Sequence, residues 1–144
     1  MRKYIIDTDL YIELLRTGKH HDIIAEIYSN ETPNIYFSSV VALELLSGVI
    51  SEEGEKNVET IIRPFEKVGR VVTPAYIAWK ESGETLAELR IKRPDLKTKL
   101  SQMVNDVLIA MSARSIGATV VTLNSLDFEA IKSVRNFSYI TVSS

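Results

Sequence analysis

The strongest constraint on this chain is a repeated change of period. Short apolar runs rich in β-branched and aromatic residues recur at KYIID (3–7), IYFSS (35–39), RVVTP (70–74), ATVVTL (118–123) and FSYITV (137–142). Between them lie segments with helical spacing: LYIELLRTG (10–18), DIIAEIYSN (22–30), VVALELLSG (40–48), EEGEKNVETIIRPFEKV (52–68), YIAWKESGETLAELRIK (76–92), SQMVNDVLIAMSARSIG (101–117) and DFEAIKSV (127–134). Strands that alternate with helices pair in parallel, because each return crossover needs the length of a helix, and the helices then cover both faces of the sheet. The expected fold class is α/β. Local signals agree: Ser38 or Ser39 is placed to cap the helix after the second strand, Pro74 closes the third strand, and Gly18 and Gly117 stop helices.

With 144 residues, 45% hydrophobic and 25% charged, the chain is sized for one domain spanning 1–144. No apolar run approaches the length of a membrane span, and MRKYIIDTD is too short an apolar opening for a signal peptide. A cytoplasmic protein that does not enter a membrane is expected. Cysteine is absent and His20 and His21 are adjacent, which excludes disulfides and the usual zinc spacings. Any metal must be held by oxygen. The net charge of −2 supplies no basic face for nonspecific nucleic-acid binding, so charge alone argues mildly against such a partner.

In a parallel sheet, ligands bind beyond the carboxyl ends of the strands. Asp7 ends the first strand, Glu44 lies early in the helix after the second, and Asp127 follows the fourth strand across a short turn. Asp106 opens the helix that leads into the fourth strand. The helices around Glu44 and Asp106 are apolar almost all round and read as buried, where an unpartnered carboxylate costs several kcal/mol or takes up a proton. A helical side chain covers the residue four positions before it, and those positions hold Gly48 and Ala110, which leaves both acids open to approach. Each acid taken singly also fits an ordinary cap or surface pair. Four like charges in one place would repel by about 4 kcal/mol per pair at close range, so a true cluster calls for a divalent cation, with oxygen ligands selecting Mg²⁺ or Mn²⁺.

YIIDTDLYIELL, SSVVALELLSG, NDVLIAMSARSIGATVVT and TLNSLDF, in that order, resemble the four motifs of the PIN-domain nucleases, and among them the VapC-type toxins of toxin–antitoxin pairs. The resemblance covers nearly the whole chain. It implies a PIN-like three-layer sandwich, a Mg²⁺- or Mn²⁺-dependent endoribonuclease acting on RNA, and a cognate antitoxin as partner. It assigns Asp7, Glu44, Asp106 and Asp127 as catalytic acids, with Asp7, Asp106 and Asp127 holding metal and Glu44 serving as a further ligand or as a water orienter. In the last motif it matches Thr122, Asn124, Asp127 and Phe128. Many relatives carry an acid where Asn124 stands, so Asp127 is left to supply the fourth carboxylate, through water. Thr8 and Thr122 are expected either to hydrogen-bond the ligand carboxylates or to cap backbone.

Two other functions fit parts of the sequence. Asp7-x-Asp9 also opens the haloacid-dehalogenase-like phosphatases, in which the first acid is a nucleophile, although Tyr11 stands where those enzymes carry Thr or Val. A PIN-fold binding protein with a degenerate site is the other, prompted by Asn124. The run LRIKRPDLKTKL (89–100) is either a solvated connection or a guide for the RNA backbone, with Arg93 and Lys97 as its contacts. Tyr76 and Trp79, with Tyr11 and Leu14, are either core residues or an apolar surface for an antitoxin helix or a second copy in a homodimer.

Overall fold

The structure, a computed structural model, describes residues 2–18, 22 and 34–143. Five strands form one parallel sheet: β1 (Lys3–Ile6), β2 (Ile35–Ser38), β3 (Val71–Val72), β4 (Ala118–Thr122) and β5 (Ser138–Thr141), in the order β3-β2-β1-β4-β5. The helices are α1 (Thr8–Thr17), α2 (Ser39–Ser47), α3 (Glu52–Lys67), α4 (Tyr76–Lys92), α5 (Val104–Ile116) and α6 (Ser125–Val134), with two short 3₁₀ turns, Pro94–Leu96 and Leu100–Gln102, between α4 and α5. The expected segment 76–92 is one unbroken helix; of the expected helix 22–30 only Asp22 is among the described residues, and both histidines lie outside them.

β1 occupies the centre because it is apolar on both faces: Tyr4, Ile5 and Ile6 are all buried. It pairs with β4 from Lys3↔Ala118 to Ile6↔Val121, and the Asp7 amide donates to the Val121 carbonyl at 2.8 Å, which carries the ladder one residue past the strand. The chain turns from β1 to β2 on one side and reaches β4 on the other, so the strand order reverses between β1 and β4. That reversal opens a crevice at their carboxyl ends.

Each layer is fixed by its apolar stripe. Phe37 of β2 lies 5.5 Å from the Tyr11 ring and stacks on Phe65 of α3 at 5.3 Å, which joins α1, the sheet and α3. At the other end, Phe128 of α6 meets Phe137 and Tyr139 at 6.0 and 6.2 Å. Helix α5 is buried continuously from Val107 to Ala113 between the sheet and α4, and Gly117 ends it at φ 68°, a left-handed turn that feeds β4 directly.

Two sequence expectations change. Helix α2 is not buried all round: Val40, Val41 and Leu45 face inward, but Leu43 is 62% exposed and Glu44 is half-buried. An apolar composition conceals the one-sided packing of a short helix. Tyr11, expected on a possible partner surface, is 1% exposed and belongs to the core, whereas Tyr76 and Trp79 are exposed.

The helix that carries Glu44 hangs on its cap. The fully buried Ser38 hydroxyl accepts from the amides of Val40 and Val41 at 3.1 and 3.5 Å, satisfying two donors that the helix itself leaves open. Ser38→Ala is therefore expected to lower the unfolding free energy by about 1–2 kcal/mol, while Ser39→Ala stays within about 0.5 kcal/mol. Urea denaturation of the two variants checks this, and equal losses would contradict the capping assignment.

Candidate active site

Asp7 leaves β1 in extended conformation and caps α1, so its side chain is turned into the crevice and is 4% exposed. One carboxylate oxygen accepts from the Thr8 amide at 2.8 Å and the other from the Thr122 hydroxyl at 2.7 Å, which ties the ends of β1 and β4 together. The Thr8 hydroxyl points the other way and donates to Glu44 Oε1 at 2.6 Å. A single Thr-bearing turn thus joins the first acid to the second. Gly48 lines the same cleft as Glu44, but a Cβ there would only touch the Glu44 and Leu45 carbonyls at 3.5 and 3.7 Å. The open approach to Glu44 therefore does not depend on the missing Cβ.

Asn124 organises the other wall. It caps α6 by accepting from the Asp127 amide at 3.2 Å, and its side-chain amide donates to Asp127 Oδ2 at 2.9 Å and to Asp106 Oδ2 at 3.3 Å. Its own backbone amide donates to the Thr122 hydroxyl at 2.9 Å. An amide can bridge two carboxylates where a third carboxylate would repel both. Asp127, 8% exposed, receives Lys99 Nζ on its other oxygen at 2.6 Å.

The acids differ in their compensation. Burial pushes Asp7 up to about 7, assisted by the charge of Asp9 and opposed by its bonds from Thr122 and Thr8. Burial likewise pushes Asp106 up to about 8, and the charges of Asp7, Asp127, Glu44 and Asp9 all add to the rise. For Asp127 burial also raises the pKa, yet the hydrogen bonds from Lys99 and Asn124 outweigh it and hold the carboxyl below its usual range. Of these three acids, Asp7 and Asp106 are the ones left raised, and among the described residues neither has a cation within ion-pair distance.

Two residues that sequence reasoning did not place in the site belong to its frame. Asp9, raised by burial, accepts from the Leu123 amide at 3.3 Å and clamps the β4–α6 turn to α1. Lys99 lay within the basic run, where charge counting could not single it out. Of the two basic residues that were singled out, Arg93 is engaged by Asp95 through bonds of 3.0 and 3.1 Å, and Lys97 lies exposed on the turn before Lys99.

The donor set is all oxygen, half-buried and short of positive charge, which suits Mg²⁺ or Mn²⁺. Among the described residues, no group of three or more acidic or histidine side chains stands ready to enclose an ion. Asp7 and Asp106, both raised by burial, are the residues of this set that could hold such an ion. The chemistry of these donors thus fits a hard divalent ion.

The sequence matches the family model of the PIN domain over residues 4–133. Among solved structures, it is similar to a chain of the DNA-bound VapBC complex of Salmonella typhimurium, with 24% identity, 98% of each chain covered and a TM-score of 0.71. It is also similar to a chain of VapBC-1 from nontypeable Haemophilus influenzae, with 23% identity, 96% of each chain covered and a TM-score of 0.68. A third match is VapBC2 of Rickettsia felis bound to a fragment of its promoter DNA, with 23% identity, 97% and 98% coverage and a TM-score of 0.67. At these identities the likeness is one of fold. The curated proteins contain no match to the sequence.

The imbalance at Asp7 and Asp106 has a consequence for stability. Both groups titrate near 3.8 when exposed and near 7 and 8 when folded, so the fold favours their protonated forms. Their contribution is fully present below pH 4 and is lost as pH rises through 7 to 8. In chelator, the melting temperature is expected to fall between pH 5.5 and 8.5, and Asp106→Asn should raise stability at pH 8.5 by about 2 kcal/mol. Thermal denaturation across that range checks this; a pH-independent profile, or a destabilised Asp106→Asn at pH 8.5, would contradict it.

Proposed function

Because the chain belongs to the PIN domain family, we propose that it is a Mg²⁺- or Mn²⁺-dependent endoribonuclease and the toxin of a VapC-type toxin–antitoxin pair. The observation that carries the proposal is the pair of raised acids, Asp7 and Asp106, at the β1/β4 crevice, with no cation among the described residues within ion-pair distance of either. The family membership sets aside the phosphatase reading of Asp7-x-Asp9. The solved structures with the same fold are VapBC complexes by name, which supports a cognate antitoxin here.

In this mechanism Asp7, Asp106 and Asp127 would hold the metal. When bound, the ion supplies positive charge at the scissile phosphate and lowers the pKa of attacking water. Thr122 fixes the rotamer of Asp7, and Asn124 sets the position of Asp106 against Asp127. Glu44, steered by the Thr8 hydroxyl, orients the attacking water and takes its proton. Lys97, and Arg93 once it leaves Asp95, meet the RNA backbone on the exposed connector. Tyr76 and Trp79, 78% and 54% exposed, offer the surface for a second copy in a homodimer; sedimentation of Trp79→Glu as a monomer would support that surface, and an unchanged dimer would exclude it.

A second reading, a binding protein with a degenerate site, is favoured by one observation: Asp127 is already occupied by Lys99 and Asn124. Cleavage of a structured RNA separates the two. The nuclease reading expects hydrolysis that needs Mg²⁺ or Mn²⁺, falls at least about 100-fold in Asp7→Ala and Asp106→Ala, and falls about 10- to 100-fold in Glu44→Gln with the fold retained. Activity that persists in both alanine variants would overturn it, and absence of metal binding at millimolar concentration would favour the binding protein.

A further inference from the structure

Lys99 is the one cation, among the described residues, within ion-pair distance of an acid of the site. Its place is built rather than incidental. The Lys99 amide donates to the Leu96 carbonyl at 2.8 Å and its carbonyl accepts from the Gln102 amide at 2.9 Å. The next residues inward, Leu100 and Met103, are 5% and 0% exposed, so the backbone that carries Lys99 is nailed to the core. Its neighbours in the basic run are spent locally or lie outside the crevice: Lys92 pairs with Glu88 at 3.8 Å and Arg93 with Asp95 at 3.0 Å.

The ammonium sits at the end of a polar chain that runs Lys99–Asp127–Asn124–Asp106, with bonds of 2.6, 2.9 and 3.3 Å. Its side chain is still 42% exposed. Lys99 therefore touches an acid of the site and open solvent at once, the position a mobile counter-ion needs. Four rotatable bonds in the stem let the ammonium leave Asp127 without moving the backbone.

Resting on the nuclease reading above, we propose that Lys99 is an exchangeable internal counter-ion: it competes with the divalent metal for Asp127 and, when metal is bound, transfers its charge to a phosphate of the incoming strand. The exchange couples the two ligands. Metal at the crevice releases a cation for the substrate, and a phosphate that draws Lys99 away frees an acid for the metal. While it neutralises Asp127, the lysine is not presented to a phosphate.

The test uses Lys99→Met, which keeps the apolar stem, and Lys99→Arg, which keeps the charge. Calorimetry of the full-length protein with MgCl₂ alone should show Lys99→Met binding the ion about 3- to 10-fold more tightly than wild type, with Lys99→Arg near wild type. RNA affinity measured against salt should show the slope of log K against log[salt] reduced by about 0.7 in Lys99→Met, the loss of one phosphate contact to a single strand, and restored in Lys99→Arg. Unchanged Mg²⁺ affinity or an unchanged salt slope in Lys99→Met overturns the exchange. If wild type binds Mg²⁺ but neither binds nor cuts RNA, the nuclease reading fails and the phosphate half of the exchange falls with it. A wild type that cleaves RNA, with Lys99→Met unchanged in Mg²⁺ affinity and in salt slope, sinks only the proposal for Lys99.

Discussion

The short bond from Thr122 to Asp7 is the constraint on which the rest of the molecule turns. It joins the carboxyl ends of the two central strands, at 2.7 Å, at the point where strand order reverses. A parallel sheet leaves such a crevice wherever its connections diverge, and what fills it is decided by the residues at the carboxyl end of each strand or just beyond it. Here those residues are an acid and a hydroxyl. The hydroxyl can give its proton to only one strong acceptor, so it locks Asp7 in place without neutralising it.

From that bond the other functional groups follow as neighbours. Thr8, the next residue in the chain, reaches Glu44 on α2, and Asn124, two residues beyond Thr122, reaches Asp106 and Asp127. Four acids thus stand around one crevice on elements whose packing is set elsewhere, by the Tyr11–Phe37–Phe65 and Phe128–Phe137–Tyr139 groups. The core fixes the elements, and the site inherits their positions. Compensation is uneven, because Lys99 balances Asp127 while burial raises both Asp7 and Asp106, with the charge of Asp9 adding to the rise at Asp7 and that of Asp7 adding at Asp106. An unsatisfied site of this kind costs stability, which is the expected sign of a group retained for chemistry.

The strands and most helices were legible in the sequence because their signals are local: β-branched runs, a serine at the start of α2, a glycine at the end of α5. The acids were legible for a different reason, since a carboxylate inside an apolar helix is a conflict visible without a structure. What could not be read was the company each acid keeps. Nothing near Asp127 in sequence announces Lys99, 28 positions away, and nothing near Asp7 announces Thr122; these contacts arise from the sheet order. The exposure of Leu43 was missed because composition records what a helix contains and not which side it presents. Asp9 was read as the mark of a rival enzyme, and only its bond to the Leu123 amide reveals a clamp.

The central claim, which rests on the proposed function, is that the raised acids Asp7 and Asp106 share about one proton near neutral pH and would give it up to a divalent cation. Calorimetric titration with Mg²⁺ at pH 7.5, repeated in buffers of different ionisation enthalpy, counts the protons released per ion bound. The account predicts release of about one proton per ion, abolished when both acids are replaced by asparagine. Binding with no proton release would contradict it.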